Sequence, residues 1–154
     1  PLSTIKFHPD GAIAATSTIS GKVQLWNMKT QSIVKTLPLH TKNINSLNFS
    51  ENGFELLTCS DDQTAQIIDL RKLQASKTFE FDSAVQTGSF DFNAMYVAIG
   101  VDKTVHLYQT KTWEPVNTFS HHENVVTGVS FGQESKSIVT SALDRQVFLY
   151  EISE

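Results

Sequence analysis

A chain of 154 residues, 40% hydrophobic and 18% charged, with ten phenylalanines, has the composition of a soluble globular protein long enough to bury its own core. Its formal net charge is −4, from 12 basic and 16 acidic residues, and only Arg71 and Arg145 are arginines. Phosphate-binding surfaces cluster Arg and Lys because neutralising phosphates releases counterions; no such cluster occurs, so direct nucleic-acid binding is not expected.

The single cysteine, Cys59, rules out an intrachain disulfide, and its apolar strand context reads as a small buried thiol. No apolar run approaches the roughly 20 residues that span a bilayer, so no membrane association is expected. Pro1-Leu2-Ser3 lacks the basic-then-apolar pattern of a signal peptide. The expected setting is intracellular.

Four phenylalanines, Phe7, Phe49, Phe90 and Phe131, divide the chain into units at intervals of 42, 41 and 41 residues. The first unit, about 1–40, places strands at 4–7, 13–18, 22–26 and near 33–37, with His8-Pro9-Asp10-Gly11 as the first turn. The second, 41–82, has strands at 45–49, 54–59, 65–68 and near 77–81, and Asn52-Gly53 is a strong hairpin signal. The third, 83–121, has them at 88–92, 96–100, 104–108 and near 116–119. The last, 122–154, has three, at 127–131, 137–141 and 146–150.

These stretches are rich in Val, Ile, Thr and aromatics, as pleated half-buried surfaces require, and no helical period competes. After each anchor Phe, at +19, +19, +18 and +19, comes a bulky residue: Trp26, Ile68, Tyr108 and Tyr150. Six positions before each stand Ser20, Asp62, Asp102 and Asp144.

Units of about 41 residues with fixed landmarks resemble WD repeats, whose period is roughly 40–45 residues. The resemblance implies an all-β propeller, with four-stranded sheets arranged radially around an axis. It also implies a buried polar brace in which a His, a Ser or Thr, an Asp and a Trp bond in a row. Unit two supplies His40, Thr58 and Asp62, with Ile68 in the Trp place. Unit four supplies His122, Thr140 and Asp144, with Tyr150 there. Unit three keeps Asp102, with Phe81 where the His would stand; unit one keeps Thr16 and Trp26.

Particular strings are similar to the pre-mRNA-processing factor nineteen family: Phe7-His8-Pro9-Asp10-Gly11, Phe49-Ser50-Glu51-Asn52-Gly53, Asp69-Leu70-Arg71-Lys72-Leu73 and Thr127-Gly128-Val129-Ser130-Phe131-Gly132. The resemblance implies the later part of a seven-bladed propeller in a nuclear, spliceosome-associated U-box ubiquitin ligase. In that family a U-box recruits the conjugating enzyme and a coiled coil makes the parent a homo-oligomer; neither is in these 154 residues. The propeller would be a non-catalytic scaffold for splicing-complex subunits and ubiquitination substrates. A generic WD-repeat adaptor is the alternative.

His40, Thr58 and Asp62 have the residue types of a hydrolytic triad, but without a nucleophile elbow a structural brace is the better reading. His121-His122-Glu123 lacks the spacing and the Cys partners of a zinc site, so no metal or cofactor is expected. Trp113 is read as covering a sheet edge, with a partner anchor as the alternative. The candidate partner-binding rim is Lys22, Asn43, Gln63, Lys103, Asn124 and Arg145, placed around the mouth of the central channel.

Overall fold

The computed structural model describes residues 1–132 and 135–152. These residues form fifteen strands in four antiparallel sheets, with no α-helix among them. The first sheet runs β1 (Leu2–Phe7), β2 (Ile13–Thr18), β3 (Lys22–Asn27) and β4 (Ser32–Pro38). The second runs β5 (Ile44–Phe49), β6 (Glu55–Ser60), β7 (Thr64–Asp69) and β8 (Gln74–Glu80). The third runs β9 (Val85–Phe90), β10 (Tyr96–Val101), β11 (Thr104–Gln109) and β12 (Pro115–Phe119). The fourth has β13 (Val126–Phe131), β14 (Ser137–Ala142) and β15 (Val147–Glu151).

Turn chemistry explains where the strands stop. The Gly11 amide bonds the His8 carbonyl at 2.9 Å, and Asp10 Oδ1 accepts the Ala12 amide at 2.8 Å. Gly53 takes φ +74°, the left-handed conformation that glycine adopts without penalty, and its carbonyl lies 2.9 Å from His8 Nε2 in the preceding unit. In the third unit the first strand spans Val85–Phe90 rather than 88–92. Asp91 ends it: the buried carboxylate accepts the Tyr96 amide at 2.8 Å, which closes the turn and leaves Phe92 exposed. Pro38 and Pro115 lie in β4 and β12, outermost strands whose free edge needs no amide donor.

Each sheet buries both faces only when it has a neighbour on each side. One face carries the anchor phenylalanine (the Phe face); the other is its reverse. The reverse face of the first sheet, Ala15, Val23, Leu25 and Leu37, packs on Leu47, Phe49, Leu56 and Ile68 of the second. Leu57, Cys59, Ile67 and Phe79 then meet Phe90, Val97 and Ile99. Ala98, Val105, Leu107 and Phe119 meet Ile138, with Phe131 and Tyr150 at the margin. β1 lies beside β5, β5 beside β9, and β9 beside β13, so the first strands converge on one axis and the sheets fan out as blades.

Candidate partner-binding rim and the braces beneath it

Two braces have the same geometry. His40 Nδ1 lies 2.9 Å from Asp62 Oδ2, and its Nε2 lies 2.8 Å from Thr58 Oγ1. In the fourth sheet, His122 Nδ1 lies 2.8 Å from Asp144 Oδ2, and Nε2 lies 2.8 Å from Thr140 Oγ1. An ionised carboxylate only accepts, so Nδ1 carries the proton; the Nε2 of a neutral ring then accepts the threonine hydroxyl. Each carboxylate also takes two backbone amides, Thr41 and Thr64 on Asp62, and Glu123 and Gln146 on Asp144. The segment entering each sheet is thereby tied to the hairpin between its second and third strands.

Burial is the largest influence on His40 and lowers its pKa, outweighing the opposing attraction of Asp62. Burial alone would raise Asp62, but the Thr64 hydroxyl, the Thr41 amide and His40 together hold its carboxyl below the ordinary value. Asp144 is also held low: burial raises it, and the Gln146 amide, His122 and the Glu123 amide outweigh that. Thr58 and Thr140 are completely buried. A hydroxyl sealed in this way has no open side from which a substrate could approach it.

The first sheet has a shortened version. Trp26 Nε1 donates to Thr16 Oγ1 at 2.9 Å, while Ser20, in the aspartate's place, bonds Thr18 instead. The expectation for Asp102 fails. The β10–β11 hairpin pairs Val101 with Thr104 and is one residue shorter than the β6–β7 hairpin. Asp102 itself therefore takes the left-handed conformation (φ +47°), which in the longer hairpins falls one residue after the brace aspartate, at Gln63 (φ +70°) and Arg145 (φ +65°). Its side chain is exposed, and among the described residues it has no hydrogen-bond partner. Buried Ile99 fills the threonine place, and Phe81 packs tilted against His106 with ring centroids 5.3 Å apart, so this sheet replaces the polar brace with apolar contact.

Above the braces lies one end of the fan. Three hairpins bond onward: the Gly21 carbonyl accepts from Leu39 and His40 and the Gln63 carbonyl from Phe81, all in segments leading to the next sheet, and the Asp102 carbonyl accepts from Val126, which opens β13. That end carries the six candidate rim residues. Lys22, Gln63, Lys103, Asn124 and Arg145 are exposed. Asn43 differs: half-buried, it donates to Asn45 Oδ1 at 2.7 Å, and its carbonyl accepts the Ser60 hydroxyl at 2.8 Å. Of the six candidates it is the one turned partly into the fold. The residues not anticipated were Asn45 and Asp61; Asn45 Nδ2 donates to Asp61 Oδ1 at 2.7 Å and to the Val85 carbonyl at 3.0 Å, linking the second sheet to the third. An amide side chain opening an otherwise apolar strand was the available signal.

Trp113 packs on Phe79 at 5.8 Å, edge to face, and covers the outer part of the joint between the second and third sheets. At the opposite end of the fan, Arg71 grips Asp69 through Nε (3.1 Å) and Nη2 (2.9 Å) and holds that carboxyl down to about 2. Among the described residues, no three His, Cys, Asp or Glu side chains converge as a metal site would require.

The family profile described as WD domain, G-beta repeat matches residues 1–27, 31–69 and 113–151. The chain belongs to the WD-repeat family. The unmatched stretch 70–112 contains most of the sheet whose brace is gone. The chain is 35% identical to Pre-mRNA-processing factor 19 of Oryza sativa over 96% of its own length, and 36% identical to that of Homo sapiens over 98%. It is 29% identical to a WD repeat-containing protein 55 homolog of Drosophila simulans over 99%. It spans only 29%, 30% and 31%, respectively, of those relatives' lengths.

Proposed function

We propose that this WD-repeat segment is a protein-binding platform within a pre-mRNA splicing assembly, acting in the nucleus. The carrying observation is the likeness to Pre-mRNA-processing factor 19 along almost the whole chain at about one residue in three. Exposed Lys22, Lys103 and Arg145 at one end of the fan offer cations to acidic or polar segments of a splicing subunit. A U-box and a coiled coil elsewhere in the parent polypeptide would make it an oligomeric ubiquitin ligase, with the platform presenting substrates. The platform itself is non-catalytic in this reading.

The test is recovery of splicing subunits from nuclear extract, with Lys103→Glu and Arg145→Glu compared with the unaltered chain. Recovery is expected to fall by about tenfold when both charges are reversed. Unchanged recovery removes the rim from the binding surface. The likeness to the protein 55 homolog supports a second reading, a WD-repeat adaptor of another assembly. Partners without splicing subunits among them would favour it. RNA captured with a steep salt dependence would count against both.

A further inference from the structure

The joints between successive sheets set the same positions opposite one another but fill them differently. Between the second and third sheets a ring cluster closes the outer half. Phe79 lies 4.5 Å from Tyr108 and 5.8 Å from Trp113, and the Lys77 ammonium sits 5.4 Å from the Phe79 ring centre. Between the third and fourth, Phe119 stacks on Tyr150 at 4.3 Å. The joint between the first and second sheets has aliphatic side chains in these places: Leu37 for Phe79, Ile68 for Tyr108 and Leu73 for Trp113. Leu73 and Trp113 stand in the same turn, with φ of +54° and +59°, and their amides bond the Asp69 and Gln109 carbonyls at 2.7 and 2.8 Å. With no ring there, a cavity of about 290 Å³ remains beside Leu25, Val34, Leu70 and Leu73. Val34 is 62% exposed and opens it to solvent. Its two walls face each other inside the fan. The lining includes the cations Lys35 and Arg71 and no carboxylate. Lys35 pairs with Leu25 as Lys77 pairs with Ile67, so it holds the place of the cation over the Phe79 ring. Among the described residues its ammonium has no ion pair, hydrogen bond or ring contact. Arg71 gives Nε and Nη2 to Asp69 and keeps Nη1.

We propose that this cavity is the docking site for one tryptophan side chain of an acidic protein segment. The molecule itself shows what the place accepts: one joint along, an indole fills it, flanked by a ring and a cation. The volume lies at the lower limit of the roughly 300–1,000 Å³ of small-ligand sites, which is room for a single ring system. The apolar wall favours removing that ring from water, and Lys35 offers an ammonium to its face. Charge chooses the flanks. With two cations in the lining and no carboxylate, acidic neighbours of the tryptophan are attracted and basic ones repelled. Tryptophan combines large contact area with few rotatable bonds, which suits it to the energetic centre of an interface. The site lies beside Arg71, at the end of the fan opposite the rim, and stands independently of the partners assigned to that rim.

Saturation-transfer NMR between the full polypeptide that contains this segment and the synthetic peptide Glu-Glu-Trp-Glu-Glu tests the idea. The indole protons are expected to receive the strongest transfer, with a Kd of about 0.3 mM or tighter. Replacing the peptide's tryptophan by leucine, or its glutamates by lysines, is expected to weaken binding by about tenfold or more. Leu73→Trp fills the cavity with the protein's own indole and should abolish the transfer. Its melting temperature should stay level or rise, because Trp113 already shows that this turn accepts the side chain. Lys35→Glu, at an exposed position, should keep the fold and weaken the peptide by about tenfold. A lowered melting temperature in Leu73→Trp means that the cavity is not shaped for an indole and overturns the proposal. Absence of transfer, transfer undiminished in Leu73→Trp or Lys35→Glu, and equal binding of the leucine or lysine peptide overturn it too. None of these readouts involves recovery of splicing subunits, so the two readings fail separately.

Discussion

His40 lies between a carboxylate that attracts a second proton and a buried setting that repels one. At His40 the burial wins, and that fixes a pH dependence. Its folded pKa is lower than its unfolded value near 6.5, so the unfolded chain binds the extra proton more readily. The stability it contributes is complete above that value and is lost as pH falls through the depressed one. Asp62 and Asp144, also depressed, act in the same direction below about 3.8. Denaturant midpoints should therefore drop from pH 6.5 downward, and drop less steeply in His40→Gln; a midpoint that rises on acidification would refute the neutral ring. Asp62→Ala leaves the amides of Thr41 and Thr64 without their acceptor, and leaves the Nδ1–H of His40 only the Thr64 hydroxyl oxygen, 3.0 Å away. It should cost about 1–3 kcal/mol at unchanged denaturant slope. A cost below about 0.5 kcal/mol would reduce the strut to a surface contact. At this scale the sequence was most readable where residue type and register agreed, as at His40 and His122, nine positions before their phenylalanines. It was least readable at Asn43, whose exposure depends on what Asn45 and Ser60 do with its amide and carbonyl.

Elements were legible because hairpins announce themselves: Asn52-Gly53, His8-Pro9-Asp10-Gly11 and the alternating Val, Ile and Thr between them. The errors fell where one residue changed a turn. The +18 spacing from Phe90 to Tyr108 already recorded the shorter hairpin, but aspartate identity suggested a brace that a two-residue turn cannot build. Conformation gives a check. Asp102 sits at φ +47°, where a side chain strains the backbone and glycine does not. Asp102→Gly should be neutral or stabilise by up to about 1 kcal/mol by thermal unfolding. A destabilisation above about 1 kcal/mol would show that the carboxylate has a structural partner after all. Gly21 is the reverse case: at φ +79° its Cβ would run into the His40 carbonyl oxygen that begins the neighbouring brace. Gly21→Ala should cost more than about 2 kcal/mol, measured the same way, and a silent substitution would mean that this turn readily rearranges.

At the scale of the molecule, the repeated joint places Cys59 between two sheets, fully buried, with its thiol pKa pushed up by that burial. Thiol-labelling reagents should reach it only when the second and third sheets part or unfold. The rate in native buffer should be on the order of a thousandfold slower than in denaturant. Rapid labelling would mean that the joint opens freely. That sheets would stack by complementary faces followed from the near-continuous apolar strands.

Close to the axis, that joint is as thin as a backbone allows. Gly88 brings β9 so near the second sheet that a methyl there would lie 2.6 Å from Leu57 Cδ2 and 3.0 Å from Cys59 Sγ. Gly100 meets Val126 of the fourth sheet in the same way, with 3.1 Å to its Cγ1. These glycines act as missing spacers at the hub. A wedge the width of one carbon at either position would spread the inner strands and change the angular pitch between successive sheets. How closely successive sheets meet at the hub is therefore set partly by two side chains that are not there.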